Sequence, residues 1–275
     1  MSVALSLTLI CLSVLVGVTS TCLYVIAVLR MDRYEREPAA LLILSFVWGA
    51  LPAVLGSLLV ERFFAQISPY QWKTSCVHLS TTTVAPIVEE LAKAIGLLAL
   101  FRFAHHEFDD ILDGVIYGAV IGFGFGMTEN IAYFWSAQST GQIGHWTQVV
   151  MGRTLAFGFN HAMFTSLAGI GFGLARYQQS TQQRRFTISA SLILAIVTHA
   201  LHNYLSSTGL CFVSLLVDWV GVAFVLMTTV LAWRRERRWL EDYLTEEVEN
   251  GWLTQQELDM LIAASAGTFR LAQLL

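Results

Sequence analysis

Acidic and basic side chains stand inside a long apolar stretch of this chain. Glu89 and Glu90 are adjacent, and Lys93 follows at a spacing that puts it within reach of either carboxylate on a helix. We expect Lys93 to pair with Glu89 at i,i+4, with Glu90 competing at i,i+3. Two carboxylates beside one ammonium leave one carboxylate without a counter-charge. Such a carboxylate is a candidate general base.

Imidazole and amide groups occur in two later apolar stretches. His161 lies in one of them, and His199, His202 and Asn203 lie in the next. The last three stand at i, i+3 and i+4, so they form a single polar stripe on a helix. His202 has two interpretations, because it could act directly or only orient its neighbour.

Glu129 and Asp218 are two further charged residues inside apolar stretches. A charge at the centre of a membrane helix costs about 2.5–3.5 kcal/mol on insertion scales, so each one needs a partner or a function. Asp218 alone could be a structural partner for Lys93. The complete set predicts a functional site.

Glutamate, histidine and asparagine, without an obvious Ser or Cys nucleophile, favour water activated by a carboxylate. In that scheme the carboxylate takes the proton, a histidine stabilises or relays it, and the asparagine with a second histidine faces the oxyanion. Zinc held by Glu89, His161 and His199 is the chemical alternative, although no metal is favoured. A proton-coupled transporter or channel is the non-enzymatic alternative, because such clusters also relay protons.

The composition describes the surroundings of these groups. The chain has 275 residues, of which 55% are hydrophobic and only 13% are charged, and its mean hydropathy is +0.60. These values argue against a water-soluble domain, a disordered chain and a nucleic-acid-binding protein. They predict an all-α integral membrane protein surrounded by the lipid bilayer.

Apolar runs predict a bundle of about seven transmembrane helices. The first run reads as a retained span rather than a signal peptide. The predicted membrane domain covers 1–233, and a short cytoplasmic helical tail covers 234–275. The predicted spans are 3–29, 39–60, 79–101, 115–135, 152–175, 186–207 and 210–233.

The distribution of Lys and Arg predicts the orientation. The odd loops and the tail carry twelve of these residues, and the even loops carry three. The N-terminus is therefore expected outside and the C-terminus in the cytoplasm. Counting residues from the span ends then places all the polar groups roughly 6–15 Å below the outer surface, at 1.5 Å per residue.

Two other predictions concern the ends of elements and the thiols. The acidic run at Glu107, Asp109, Asp110 and Asp113 is expected to cap the fourth span, and Thr254 with Glu257 reads as a capping box in the tail. Cys76 and Cys211 are both expected on the outer side. They could form a disulfide, but two free thiols are slightly favoured because sequence gives no Cα distance.

Four short motifs carry a resemblance to a known family. They are Glu89-Glu90-Leu-Ala-Lys93, Phe125-Gly-Met-Thr-Glu129-Asn130, Phe157-Gly-Phe-Asn-His161 and His199-Ala-Leu-His202-Asn203. In this order the motifs resemble those of the PrsW intramembrane proteases. The segments 32–38 and 108–114 are similar to that family too, and the resemblance covers about residues 30–205.

The same motifs resemble a wider group that includes the CAAX prenyl endopeptidases and the bacteriocin-processing proteases. Phe157 with His161, and His199 with Asn203, match that group's patterns. The group's Glu-Glu-x-x-x-Arg pattern is not matched, because Lys93 stands one residue earlier, as in the PrsW form.

The resemblance implies a bacterial peptidase in the cytoplasmic membrane, cutting membrane-protein substrates near the extracytoplasmic face. Glu89 or Glu90 would activate water, with His161, His199 and Asn203 assisting. The supporting residues would be Lys93, Glu129, Asn130, His202 and Asp218. The best-known relatives start the cleavage of a membrane-bound anti-sigma factor, so a site-1 cleavage of that kind is the expected reaction.

Overall fold

The computed structural model of the chain describes residues 3–31, 36–67 and 80–265. These residues form helices joined by turns, and there is no strand among them. The all-α class is confirmed. The helices are α1 (Val3–Leu29), α2 (Ala39–Trp48), α3 (Val54–Ile67), α4 (Ala85–Phe103), α5 (Ile111–Ser139), α6 (Ile143–Met151), α7 (Asn160–Arg176), α8 (Thr181–Ser207), α9 (Cys211–Glu249) and α10 (Gln255–Ser265). Three π-helical turns join or precede them, at Gly49–Ala53, Ser80–Val84 and Gly152–Ala156.

Five stretches of the described chain are long and apolar enough to cross a membrane. The other two predicted spans correspond to α4 and α7. Helix α4 carries several charges within 19 residues, and α7 has only 17 residues, so the count of seven is not confirmed. The five stretches are Leu5–Leu29, Ala39–Gln66, Ile111–Ser139, Thr181–Ser207 and Cys211–Glu249.

Large apolar side chains cover the outer surface of the bundle. Leu59 on α3, Phe186 on α8 and Phe212 on α9 are each more than two-thirds exposed. Such a surface is unfavourable in water and is matched by lipid chains. The protein is a membrane protein.

Helix α5 lies at the centre, packed between α1 and α2 on one side and α7 on the other. Its contact with α7 is made by glycines. A Cβ atom on Gly169 would lie 1.9 Å from the carbonyl oxygen of Gly114, and one on Gly122 would lie 2.3 Å from the carbonyl oxygen of His161. These small residues let the two helices approach closely, and this approach brings His161 against α5.

The first turn of α5 is held by its own acidic residues. The side chain of Asp110 accepts hydrogen bonds from the backbone N–H groups of Leu112 and Asp113, and Asp113 accepts from Asp109 and Asp110. The prediction that this acidic run caps the helix is confirmed for Asp110 and Asp113.

The prediction of one continuous span over 152–175 is wrong. The chain forms a π-helical turn at Gly152–Ala156, leaves helical geometry at Phe157 and begins α7 at Asn160. Gly158 permits the break, because a Cβ there would lie 2.3 Å from the carbonyl oxygen of Thr154. The break puts His161 in the first turn of α7.

Helix α9 continues from the apolar segment into the tail without interruption, so the predicted boundary at 233/234 falls inside a helix. The chain turns at Gly251, whose φ is +78°, as expected of a glycine past a helix end. In the first turn of α10, Glu257 accepts hydrogen bonds from the backbone N–H and hydroxyl of Thr254, which lower the pKa of the Glu257 carboxyl. The predicted capping box is confirmed.

Candidate active site

A cavity of about 760 Å³ lies between α3, α4, α5, α7 and α8. The structure brings most of the predicted site residues to its wall. Glu90, Lys93 and Asp218 are buried behind those that line it. The predicted residues on the wall are Glu89, Glu129, Asn130, His161, His199, His202 and Asn203.

Glu89, His161 and His199 converge on one point of this wall. Each offers a donor atom, and the three atoms lie within 4.8 Å of one another. Oε2 of Glu89 is 3.8 Å from Nε2 of His199. This oxygen is buried, and no hydrogen-bond partner for it occurs within the part of the chain that the structure describes.

The predicted pairing of Lys93 with Glu89 is wrong. Nζ of Lys93 lies 2.5 Å from Oε1 of Glu90 instead, and both side chains are fully buried. The same oxygen is 2.8 Å from Nδ1 of His199, while Oε2 accepts from the hydroxyl of Thr165 at 3.4 Å. Both oxygens of Glu90 therefore contact neighbouring side chains. Because Glu90 contacts Nδ1 of His199, the other ring nitrogen, Nε2, remains for groups in the cavity.

His161 is held by a second chain of charges. Its Nε2 is 2.8 Å from Oε2 of Glu129, and its Nδ1 is 3.3 Å from Nζ of Lys93. Arg153 forms an ion pair with Glu129 and donates from Nε to Oδ1 of Asn130 at 2.7 Å. Glu129 and Asn130 thus connect α5 to the π-helical turn before α7.

From the sequence, Arg153 was counted only as one of the three basic residues of the even loops. Its guanidinium stacks on the ring of Tyr133, 3.8 Å from the centroid, at the cavity wall. The signal that could have found it is the need of Glu129 for an opposite charge at membrane depth.

His202, on the cavity wall, forms a separate pair with the buried Asp218 behind it. Nδ1 of His202 is 2.7 Å from Oδ2 of Asp218, which also accepts from the amide of Asn160 at 3.0 Å. Pairing of Asp218 with Lys93, considered from sequence, does not occur. Asn160 was missed, although it directly precedes His161.

Glu61 was also missed. The second span was expected to end at 60, but α3 continues to Ile67 and carries Glu61 to the cavity wall. Among the described residues, this part of the wall carries the carboxyl groups of Glu61, Glu89 and Glu129 and the guanidinium of Arg153, so carboxyl groups outnumber cations there. Such a lining favours a cation or a polar group over a bare apolar chain.

The donor set at the convergence point fits zinc. Two imidazoles and one carboxylate whose donor atoms lie within 4.8 Å of one another are an ordinary ligand set for a catalytic zinc. The unsatisfied Oε2 of Glu89 is a buried acceptor that a cation or a water would satisfy. Nδ1 of His199 is held by Glu90, as metal-binding histidines commonly are by a carboxylate.

Comparison with known proteins decides the family. The model of the PrsW family of intramembrane metalloproteases matches residues 37–233. The chain belongs to this family. It is 27% identical over 174 residues to "Protease PrsW" of Geobacillus kaustophilus. The matched region covers 63% of this chain and 70% of the relative.

Two further relatives carry the same name. "Protease PrsW" of Clostridioides difficile is 25% identical over 215 residues, covering 78% of this chain and 83% of the relative. That of Bacillus subtilis is 24% identical over 176 residues, covering 63% and 73%. No solved structure matches the chain. The protein is a membrane-embedded protease of the PrsW family, which favours the enzyme over the transporter considered from sequence.

Proposed function

We propose that this PrsW-family protein hydrolyses a peptide bond of a membrane-protein substrate in the cavity, with Glu89 activating the attacking water. The observation that carries the proposal is the convergence of Glu89, His161 and His199 around a carboxylate oxygen without a partner in the described chain. A general base needs a carboxylate oxygen that is not committed to another group, and Glu89 has such an oxygen on a residue that lines the cavity.

Glu90 has a positioning role in this proposal. Both of its oxygens are in contact with Lys93, His199 or Thr165, and its side chain is fully buried. The choice between the two adjacent glutamates, open from the sequence, therefore falls on Glu89.

The other polar residues of the wall would stabilise the transition state. His161 and His199 flank Glu89, and Asn203 lies on the same wall, one helical turn beyond His199. An amide N–H that points at the developing oxyanion stabilises the transition state, and it does so more strongly the better it is positioned beforehand. Glu129, Asn130 and Lys93 would keep His161 in place.

A zinc-dependent form of the same reaction is the second candidate, favoured by the geometry of the donor set. Glu89, His161 and His199 would hold the ion, which would polarise the scissile carbonyl as a Lewis acid. Metal analysis of the purified protein separates the two forms. Stoichiometric zinc that is lost in Glu89→Ala but kept in Glu61→Ala supports the metal-dependent form, and wild-type activity in metal-free protein contradicts it.

We further propose that cleavage occurs near the extracytoplasmic face of the bacterial cytoplasmic membrane, with the N-terminus outside and the C-terminus inside. The distribution of Lys and Arg and the depth of the polar groups support this orientation. The family favours a membrane-bound anti-sigma factor as substrate, cleaved first at this site.

The substrate proposal is tested with purified protein in liposomes containing a single-pass anti-sigma factor. The wild type should cut the substrate in the outer third of its span, and Glu89→Gln should not. Cleavage of other membrane proteins but not of anti-sigma factors would remove this substrate. Cleavage in the cytoplasmic half would remove the proposed depth.

A further inference from the structure

The pair formed by His202 and Asp218 has the geometry of a catalytic dyad. Nδ1 of His202 lies 2.7 Å from Oδ2 of Asp218, and the hydroxyl of Ser214 is 2.9 Å from the same nitrogen. A carboxylate beside Nδ1 fixes the tautomer of an imidazole and stabilises the imidazolium form when it arises. Within the described residues, the second ring nitrogen, Nε2, has a contact of 3.4 Å to the amide of Asn160, and the same amide lies 3.1 Å from Nδ1.

Burial separates the roles of the two members. The side chain of Asp218 is 2% exposed, whereas that of His202 is 15% exposed and lines the cavity. Asn160 donates to Asp218 at 3.0 Å and so fixes the carboxylate from the α7 side. A buried, fixed carboxylate behind a partly exposed imidazole is the arrangement of a group that exchanges protons with a substrate.

The dyad lies next to the convergence point without being part of it. His202 stands three residues after His199 on α8, so both side chains project from the same face. The ring of Phe164 lies between the two, with centroids 4.5 Å from His199 and 6.0 Å from His202. Glu89 and His202 both line the cavity, so a peptide bond bound there has the proposed base and His202 on the same wall.

We infer that His202 is the general acid of the reaction and that Asp218 is its positioning residue. The inference rests on the proposed function. Glu89 takes one proton from water, and the oxygen of the resulting hydroxide forms a bond to the carbonyl carbon. When the C–N bond breaks, its electron pair stays on nitrogen, and His202 gives the proton from Nε2 to that nitrogen. Glu89 then returns its proton through water to His202, so one water is consumed per bond.

The remaining polar groups are less suited to this step. Glu90 and Lys93 are buried and bonded to each other. His161 is bonded to Glu129 and His199 to Glu90, so each is already committed to the convergence point.

The inference is tested by comparing an amide with an ester at the scissile position of one synthetic transmembrane peptide, after its cleavage site has been mapped. An amine needs a proton to leave, whereas an alcohol leaves with much less help. His202→Gln should lower kcat/KM for the amide by about 10²–10⁴ and for the ester by less than about tenfold. Asp218→Asn should show the same selective loss, and it carries the test if His202→Gln does not insert.

Two matched variants keep this inference separate from the proposed function. Asn203→Ala should slow both substrates alike, because an oxyanion forms in either reaction. Glu89→Gln should abolish both, and if it did not, the proposed function would fail whatever the His202 variant does. Equal losses on amide and ester in His202→Gln and in Asp218→Asn, or an unchanged amide rate, would overturn the assignment of the general acid.

Discussion

Glu89 and Glu90 are neighbours in the chain with opposite surroundings. Oε2 of Glu89 has no partner in the described chain, and Glu90 is bonded to Lys93 and His199. At the scale of single residues, contacts assign one carboxylate to chemistry and the other to structure. Neutralising each in turn should therefore have different consequences.

Glu89→Gln should abolish cleavage with little effect on the stability of the protein, because Oε2 of Glu89 has no hydrogen-bond partner among the described residues. Glu90→Gln should leave the buried Lys93 without its counter-charge and lower the free energy of unfolding by about 3–5 kcal/mol. Thermal unfolding in detergent, run beside a cleavage assay, measures both. Equal stability of the two variants would contradict the assigned pairing.

Arg153 supports His161 through Glu129. Arg153→Ala should slow cleavage by about 10–100-fold, the usual cost of losing a group that orients a site residue. Arg153→Lys should not restore the rate, because a lysine cannot bond Asn130 and Glu129 together as the guanidinium fork does. Arg185→Ala, an exposed change on α8, is the control. Wild-type activity in Arg153→Ala would show that this chain of charges is not needed.

The sequence identified residue types well and pairings poorly. On a helix Lys93 can reach position 89 or 90, and only the approach of His199 and Thr165 from α8 and α7 decides between them. Asp218 and Lys93 are likewise separated by packing that spacing does not reveal. Arg153 was missed because it was counted as a loop charge, and Asn160 was missed because it lies at a break that was expected to be helix.

At the scale of elements, the glycine contact between α5 and α7 positions the site. Gly122→Ala would place a Cβ against the backbone of His161 and push α7 outward. A shift of about 1 Å at a catalytic group can cost 10²-fold in rate, so we expect a loss of that order. Gly56→Ala is the matched control, because among the described residues no atom outside the neighbouring backbone of its own helix lies within 4 Å of the added Cβ. Cleavage assays on both variants, with insertion checked, test this; equal rates would contradict it.

Helix positions were largely predictable from apolar runs and capping residues, including the turn at Gly251 and the acidic cap of α5. The break before α7 was not, because Phe157, Gly158 and Phe159 are as apolar as their neighbours. Glu61 was missed for a related reason, since α3 extends past the last strongly apolar residue. Apolarity reports the depth of a segment and does not report where its backbone stops being helical.

At the scale of the whole molecule, the orientation in the membrane can be tested through Cys211. This thiol is exposed and lines the cavity, whereas Cys76 lies outside the described residues. In a Cys11→Ser, Cys22→Ser background, a membrane-impermeant thiol reagent added outside should label Cys211 and slow cleavage. Labelling only after reduction would indicate a bond to Cys76, which the structure does not test.

Cys211→Ser should be insensitive to the reagent and cleave normally before treatment. Labelling of Cys211 only from the cytoplasmic side would overturn the orientation, and the predicted outer position of the site with it. This experiment does not test the number of spans. Five stretches of the described chain are long and apolar enough to cross a membrane, whichever end lies outside.

The most direct test of the central claim is a comparison of membrane-protein fragments in cells producing wild type, Glu89→Gln or Arg185→Ala. New N-termini are labelled and identified by mass spectrometry, and the amount of each protease variant in the membrane is matched. We expect fragments cut within the outer part of a transmembrane segment in wild type and Arg185→Ala, and none of these in Glu89→Gln. The same fragments at the same abundance in Glu89→Gln would contradict the account that Glu89 activates water for peptide hydrolysis in this cavity.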